Sequence, residues 1–459
     1  MRTSSLPAVS GARCRRWPEM SAEPATASAA TGPRMTNVRW VVCALLFFAT
    51  TVNYIDRQIL ALIKELLDHD LGWTNEQFGL VNSAFQGAYA VGLLAFGWFV
   101  DRYGTKIGYA VSIFAWSLAA MSHALVGSVG GFFAARVALG VSEGGNFPSA
   151  IKAVALWFPK RERAFATAIF NAGTNVGAII APAAIPAIAF TLGWRWAFIF
   201  AGIAGLIWLP FWFRLYEIPE RRKNVSAAEL ELIRSDADED HAGGAPMGWM
   251  RALRYRQTWS FIVAKFLTDP IWWFFLIWLP DYFKATRGLN IKKSWVHLVT
   301  IYANVTVLSI AGGWVTGYLS RHGWSVTRAR KTGMFLFALC VLPILAATRV
   351  ANWPAVLIIG LVASAHQAWS ANLFTTVSDM FAKKDVGTII GLGGMAGSIG
   401  GILFPWFSGR VLDRYHALGN ATAGYAILFA ICAFAYLIAF AFNHLLAPRF
   451  EPFRESQAG

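Results

Sequence analysis

From residue 37 onward the chain alternates long apolar stretches with shorter polar ones. The apolar stretches run to about 20 residues or more, the length a helix needs to cross a bilayer. Twelve are read, at 37–59, 76–100, 106–126, 129–155, 164–190, 195–215, 257–283, 294–319, 331–349, 353–379, 386–412 and 423–446. A lipid-exposed backbone must satisfy its own hydrogen bonds, so runs of this length predict spanning helices and not strands. The polar stretch 217–256, with Arg221, Arg222, Lys223 and the acidic run Asp236 to Asp240, divides them six and six. The expected fold class is all-α integral membrane, with twelve transmembrane helices in two six-helix halves. The expected organisation is an extension at 1–34, an N-terminal half at 35–216, a linker at 217–256, a C-terminal half at 257–447 and a tail at 448–459. Residues 1–34 are rich in Ser, Ala, Pro and Arg and read as a disordered cytoplasmic extension, with Met35 a candidate start. No apolar core of a signal peptide precedes the first span.

Composition agrees. Of 459 residues, 56% are hydrophobic and only 14% charged, where soluble domains carry about 25% charge. A net charge of +15 would suggest nucleic acid in a soluble protein. The 21 Trp and 35 Phe, however, sit in apolar runs and not among the basic residues, so nucleic-acid binding is not expected. The excess charge follows membrane topology instead. With both termini and the 217–256 loop on the cytoplasmic side, 27 of the 40 Lys and Arg fall there, a positive-inside distribution. The loop Lys284–Lys293 is the main exception. Four cysteines without C-x-x-C spacing support neither a disulfide framework nor a metal site.

A repeat supports the division. A shift of 223 residues lays Phe158, Lys160, Arg161 and Glu162 on Phe381, Lys383, Lys384 and Asp385, and Gly177 and Pro182 on Gly400 and Pro405. Duplicated helix sets that meet at a midplane cavity are a common transporter architecture.

Two motifs stand out. The loop after the second span reads Gly97-Trp-Phe-Val-Asp101-Arg102-Tyr-Gly104-Thr-Lys106: small residues for close helix approach, an acid and bases that can pair, and a glycine for the turn. Its second-half echo, Ser320-Arg321-His322-Gly323, lacks the acid. The fourth span carries Arg136-x3-Gly140-x3-Gly144, with Glu143 seven residues after Arg136. On these motifs the chain, over about 37–447, resembles the major facilitator superfamily. Asn53-Tyr54-Ile55-Asp56-Arg57-Gln58, Gly140-Val-Ser-Glu143-Gly-Gly-Asn146-Phe147-Pro148 and Trp157-Phe-Pro-Lys-Arg-Glu-Arg163 are similar to the anion:cation symporters. Lys265-Phe-Leu-Thr-Asp269-Pro270-Ile-Trp272-Trp273 and Ala365-His366-Gln367-Ala-Trp-Ser370 resemble their hexuronate transporters.

The resemblance implies a secondary carrier in a bacterial inner membrane. It would move a sugar acid such as glucuronate or galacturonate with protons by alternating access, with the proton gradient as driving ion and no cofactor. Galactonate, glucarate or an organic-anion exchanger are the alternatives, a transport-like receptor a remote one. It also implies that Arg57 contacts the substrate carboxylate and that Asp56 takes part in proton coupling. A charge inside the bilayer is costly and normally faces a cavity. A guanidinium, moreover, offers a planar fork to a carboxylate. The alternative for Asp56 and Arg57 is a structural ion pair at a helix end. Glu143 is read as a second proton carrier biased by Arg136, against a permanent Arg136–Glu143 bridge. Tyr54, Tyr89, Arg136, Asn175, Lys265, His366, Gln367, Ser370 and Asn372 are the further substrate candidates. Asn171 and Asn175, spaced i,i+4, suggest a cavity face or an interhelical bond. Lys265 and Asp269 could neutralise each other near the cytoplasmic end. Trp272 and Trp273, being adjacent, are not expected to face one direction. Gly97, Asp101, Arg102, Gly104 and Lys106 are the gating motif. Gly140-Val-Ser142-Glu-Gly144 matches the nucleophile-elbow pattern, but mid-helix and without a triad partner it marks no enzyme. One chain holds both halves, so a monomer suffices.

Overall fold

The structure, a computed structural model, describes residues 35–73, 75–235, 247–288 and 291–451. The extension 1–34, the acidic run of the linker and most of the tail lie outside the described residues. The helices are α1 (Val38–Leu62), α2 (Lys64–Leu71), α3 (Asn75–Tyr103), α4 (Thr105–Ser122), α5 (Val129–Glu143), α6 (Asn146–Trp157), α7 (Lys160–Leu192), α8 (Trp194–Leu215), α9 (Ala227–Arg234), α10 (Trp249–Ala252), α11 (Arg256–Arg287), α12 (Ile291–Arg321), α13 (Val326–Val341), α14 (Asn352–Met380), α15 (Val386–Ala417) and α16 (Ala421–Leu446). Nine of the described helices are long and apolar enough to cross a membrane. α4, α12 and the pair α5–α6 complete the twelve, and α2, α9 and α10 are short connecting helices.

The fourth span differs from its expectation. The apolar run 129–155 predicts one continuous helix. The helix is interrupted at Gly144 and Gly145, between α5 and α6, although both glycines keep right-handed helical dihedrals, so the interruption is local and the span continues through it. The ninth span also ends differently, with α13 passing into a 3-10 turn, Leu342–Ala346.

Local signals set the other ends. Ser128, Ser226, Ser325 and Asn420 cap their helices by accepting N–H bonds from the first turn. Gly104 and Gly323, at corresponding turns of the two halves, both have φ +88°, a conformation side chains disfavour.

Packing follows small residues. A Cβ at Gly140 would meet the carbonyl of Phe85, and one at Gly144 the backbone of Gly92 and Leu93. The Arg136-x3-Gly140-x3-Gly144 motif is thus the contact that sets α5 against α3. Within the halves α1 packs on α7, α4 on α8, α12 on α14, and α11 on α15 and α16. Between them α3 meets α15, and α7 meets α12 and α14.

α1 begins and α16 ends on the same face of the bundle, the terminal face, where α9 also docks. Glu229 of α9 is fully buried there. It accepts the backbone N–H of Val38 and Arg39, both at 3.1 Å, and pairs with Arg39 at 3.0 Å. A carboxylate at exposed first-turn amides is the favoured partner for a helix N-terminus, so this linker helix caps the first span.

Candidate functional site

A cavity lies between the halves, about 620 Å³ with its open mouth included. Arg57 of α1 is its central cation. Its Nε lies 2.7 Å from Glu143 Oε2, and the guanidinium is caged by the rings of Tyr89 at 4.3 Å, Tyr54 at 4.9 Å and Phe85 at 5.5 Å. Aromatic faces hold a cation without neutralising it. Glu143 therefore pairs with Arg57 across helices, not with Arg136 on its own. It does so at the end of α5, and its Oε1 has no hydrogen-bond partner among the described residues. Arg136 is buried, sits 5.5 Å from the Phe85 ring centroid, and has two nitrogens without hydrogen-bond partners among the described residues. Asp56 is 1% exposed, with neither oxygen hydrogen-bonded among the described residues. It interacts electrostatically with Glu143, Arg136 and Arg57. A sparsely bonded buried carboxylate is costly as an anion and therefore suited to carrying a proton.

The C-terminal half supplies a second ionic unit. Lys265 Nζ lies 2.5 Å from Asp269 Oδ2 and 4.1 Å from the Phe374 ring centroid. The pair lines the cavity and is not displaced toward the helix end, contrary to expectation. His366 of α14 meets the Tyr436 hydroxyl at 2.6 Å and stacks on Trp272 at 5.5 Å between ring centroids. Trp272 and Trp273 both border the cavity, so adjacent indoles do share it. Gln367 and Ser370 line it too. Gln367 accepts a 2.5 Å bond from Asn171 of α7, which joins the halves at the cavity.

Three expected substrate contacts do not reach this space. Arg136, Asn175 and Asn372 lie outside the lining. Asn175 is fully buried one helical turn beyond Asn171, and Asn372 donates to Ala368 of its own helix at 2.8 Å. For Asn175 the reason is depth, since one turn of about 5.4 Å takes it past the end of the cavity; Asn372 sits between the lining residues Ser370 and Phe374 and faces away from it. Phe85, Phe147, Phe374 and Tyr436 were missed. Only Phe85 had a signal, four residues before Tyr89 on one helix face.

Between cavity and terminal face the halves are fastened. Phe147 and Phe374 stack at 5.5 Å. Asp101 pairs with Lys152 at 2.6 Å and accepts the backbone N–H of Gly387 at 3.0 Å and Thr388 at 2.5 Å, at the start of α15. Lys152 is the cation partner for Asp101, one that the apolar pattern places inside a span. Gly97 lies against the Gly387 carbonyl. Arg163 donates to the Ser378 carbonyl at 2.6 Å, and Arg330 pairs with Asp379 at 2.9 Å while donating to the Lys160 carbonyl. Arg102 is exposed, and Lys106 pairs with Glu217 at 2.8 Å. That hydrogen bond holds the Glu217 carboxyl below the usual range. These contacts close the cavity toward the terminal face.

Twelve spans in two halves around a polar, charged cavity, shut at one end, have the architecture of a multi-pass membrane transporter. The Major Facilitator Superfamily family model matches residues 46–405, and the chain belongs to that superfamily. It is 30% identical over 408 residues to the Hexuronate transporter of Escherichia coli (strain K12), covering 87% of this chain and 92% of that protein. It is 28% identical to the D-galactonate transporter of Escherichia coli O6:H1, covering 82% and 90%. It is 29% identical to the probable galactarate/D-glucarate transporter of Bacillus subtilis, covering 86% and 90%. Among solved structures, the proton:xylose symporter XylE bound to 6-bromo-6-deoxy-D-glucose superposes with a TM-score of 0.67 at 16% identity, covering 88% and 96%. The human organic anion transporter MFSD10 superposes with a TM-score of 0.65 at 15% identity, covering 89% and 100%.

Proposed function

We propose that the protein is a secondary carrier for a sugar acid, with a hexuronate such as glucuronate or galacturonate as substrate and protons as the coupled ion. The observation that carries this reading is the caged Arg57 on the cavity wall, with Glu143 paired to it from behind the lining. A substrate carboxylate takes the fork of Arg57 and displaces Glu143, which then accepts a proton, with Asp56 as its neighbour in the relay. Charge balance supports the coupling. Arg57, Arg136 and Lys265 offset Asp56, Glu143 and Asp269, so an entering anion leaves one uncompensated negative charge in a poorly polarisable interior. A proton removes it. Tyr54, Tyr89, His366, Gln367 and Ser370, which line the same cavity, would meet the substrate hydroxyls.

Transport follows alternating access. The halves 35–216 and 257–447 rock about the cavity, joined by the linker 217–256, and the Asp101, Arg163 and Arg330 contacts open when the terminal face does. The terminal face is cytoplasmic, in agreement with the distribution of Lys and Arg, and the membrane is a bacterial inner membrane. Protonation advances transport only by favouring one conformer of the loaded carrier over the other. Lys265, a second cation on the opposite wall, favours one further reading, a sugar diacid such as glucarate by the same mechanism.

The test is uptake of labelled glucuronate, galacturonate, galactonate and glucarate into proteoliposomes, with and without an inward proton gradient. Gradient-driven accumulation competed by unlabelled substrate supports the proposal. Counterflow without accumulation removes the proton from it, and no uptake of any of the four removes the substrate class.

A further inference from the structure

The proton-coupled reading leaves open where the proton enters. Glu143 and Asp56 are 0% and 1% exposed and neither lines the cavity. Asp269 is the one carboxylate among the described residues that does, and its side chain keeps 20% of its surface accessible. It sits on α11, in the half opposite the Arg57–Glu143 pair. Its Oδ2 packs against Gly397 of α15, where any larger residue would take its place. The charged and titratable groups around it are few. Lys265 is one turn away on the same helix, and Tyr54 of α1, Tyr89 of α3 and Tyr436 of α16 interact with it electrostatically. α14 brings His366 to the same cavity, and α15 brings Gly397 and Ser398, which do not titrate.

We propose that Asp269 is the proton-entry carboxylate of the carrier and that its protonation releases Lys265 to hold the substrate anion. The inference rests on the proton-coupled reading above and assigns it a station in the second half. A hydronium in the cavity water gives its proton to an Asp269 oxygen and leaves as water. The charge-assisted bond from Lys265 is thereby weakened. The freed ammonium, already beside the Phe374 ring, turns to the anionic group of the substrate. Phe374 is also half of the stack with Phe147 that closes the cavity toward the terminal face, so the same movement acts on that closure. When the substrate leaves, Lys265 pairs with Asp269 again and the proton returns to water. Atoms balance; counting the proton on Glu143, the loaded carrier holds two protons, which leaves one net positive charge with a monoanion and none with a diacid.

The test needs a readout that does not depend on the substrate. Infrared difference spectra of the purified, lipid-reconstituted protein, titrated with pH in the absence of substrate, report protonated carboxyl groups through their C=O band. The expected result is a titrating band in the wild type that is lost in Asp269→Asn and returns at a shifted position in Asp269→Glu. A band unchanged by Asp269→Asn, or lost only in Glu143→Gln, overturns the proposal. In proteoliposomes loaded with the same four sugar acids, Asp269→Asn is expected to lower gradient-driven accumulation more than tenfold while lowering counterflow much less. Its KM is expected to lose its dependence on pH. Full accumulation by Asp269→Asn overturns the proposal. If the wild type accumulates none of the four acids, the functional reading falls, and the infrared titration still decides Asp269. If Asp269→Asn does not reconstitute, the band shift in Asp269→Glu decides in its stead.

Discussion

Glu143 and Arg57 meet at 2.7 Å across two helices, the carboxylate fully buried and the guanidinium caged by Tyr54, Phe85 and Tyr89. The acid at the end of α5 therefore competes with any incoming carboxylate for one cation. Arg57→Lys keeps the charge and loses the fork. A lost charge-assisted hydrogen bond costs about 1.5–3 kcal/mol, roughly ten- to a hundredfold in substrate KM. Initial uptake rates against concentration check this; an unchanged KM would place the carboxylate elsewhere.

Glu143→Gln leaves a neutral group of the same shape beside Arg57. Gradient-driven accumulation is expected to disappear while exchange of labelled for unlabelled substrate persists. Measuring both in one proteoliposome preparation separates proton coupling from binding, and retained pH-driven accumulation would end the proton role of Glu143.

Asp101 joins three elements, through Lys152 and the first amides of α15. Asp101→Asn leaves the Lys152 ammonium buried without its counter-charge. Losing one partner of a buried pair costs about 3–5 kcal/mol, charged here to the conformer closed toward the terminal face. Cysteines placed on that face are expected to label faster in the variant; equal labelling would mean that the contact does not hold the halves.

Gly144→Ala places a methyl against the Gly92–Leu93 backbone, with no flexible side chain to give way. Overpacking of this kind costs about 1–3 kcal/mol. A lower melting temperature in detergent is expected, along with reduced transport, because the same contact positions Glu143.

Asp385 lies before α15 in the loop at the terminal face. Burial pushes its carboxyl above the usual aspartate value of 3.8, although it accepts the Met247 N–H at 2.7 Å. A carboxyl raised in the folded state destabilises the fold when ionised, so its cost is present at neutral pH and fades as pH falls toward 3.8. Asp385→Asn keeps the acceptor and removes the charge. Its melting temperature is expected to exceed the wild type at pH 7, with the advantage shrinking on acidification.

The apolar run lengths alone were enough to count the spans and to divide them six and six, because the bilayer imposes one length on every crossing and the polar linker interrupts the series. Asp56, Arg57, Glu143 and Lys265 were legible as candidates for a related reason: charge is expensive in an apolar run. Which charges pair was not legible. Arg136 and Glu143 share a helix face, yet Glu143 turns to Arg57, because α5 packs through Gly140 and Gly144 against α3 and α1 brings Arg57 within 2.7 Å. Depth was not legible either. Asn171 reaches the cavity and Asn175, on the same face one turn away, does not, since periodicity gives direction around a helix and not the position of a cavity along it. The approach of α11 to α15 at Gly397 and the stack of Phe374 on Phe147 join residues far apart in the chain. Only the packing of the two halves brings Asp269, Lys265 and Arg57 to one cavity, because side chains on separate helices meet where the backbones come close and no local pattern encodes that meeting.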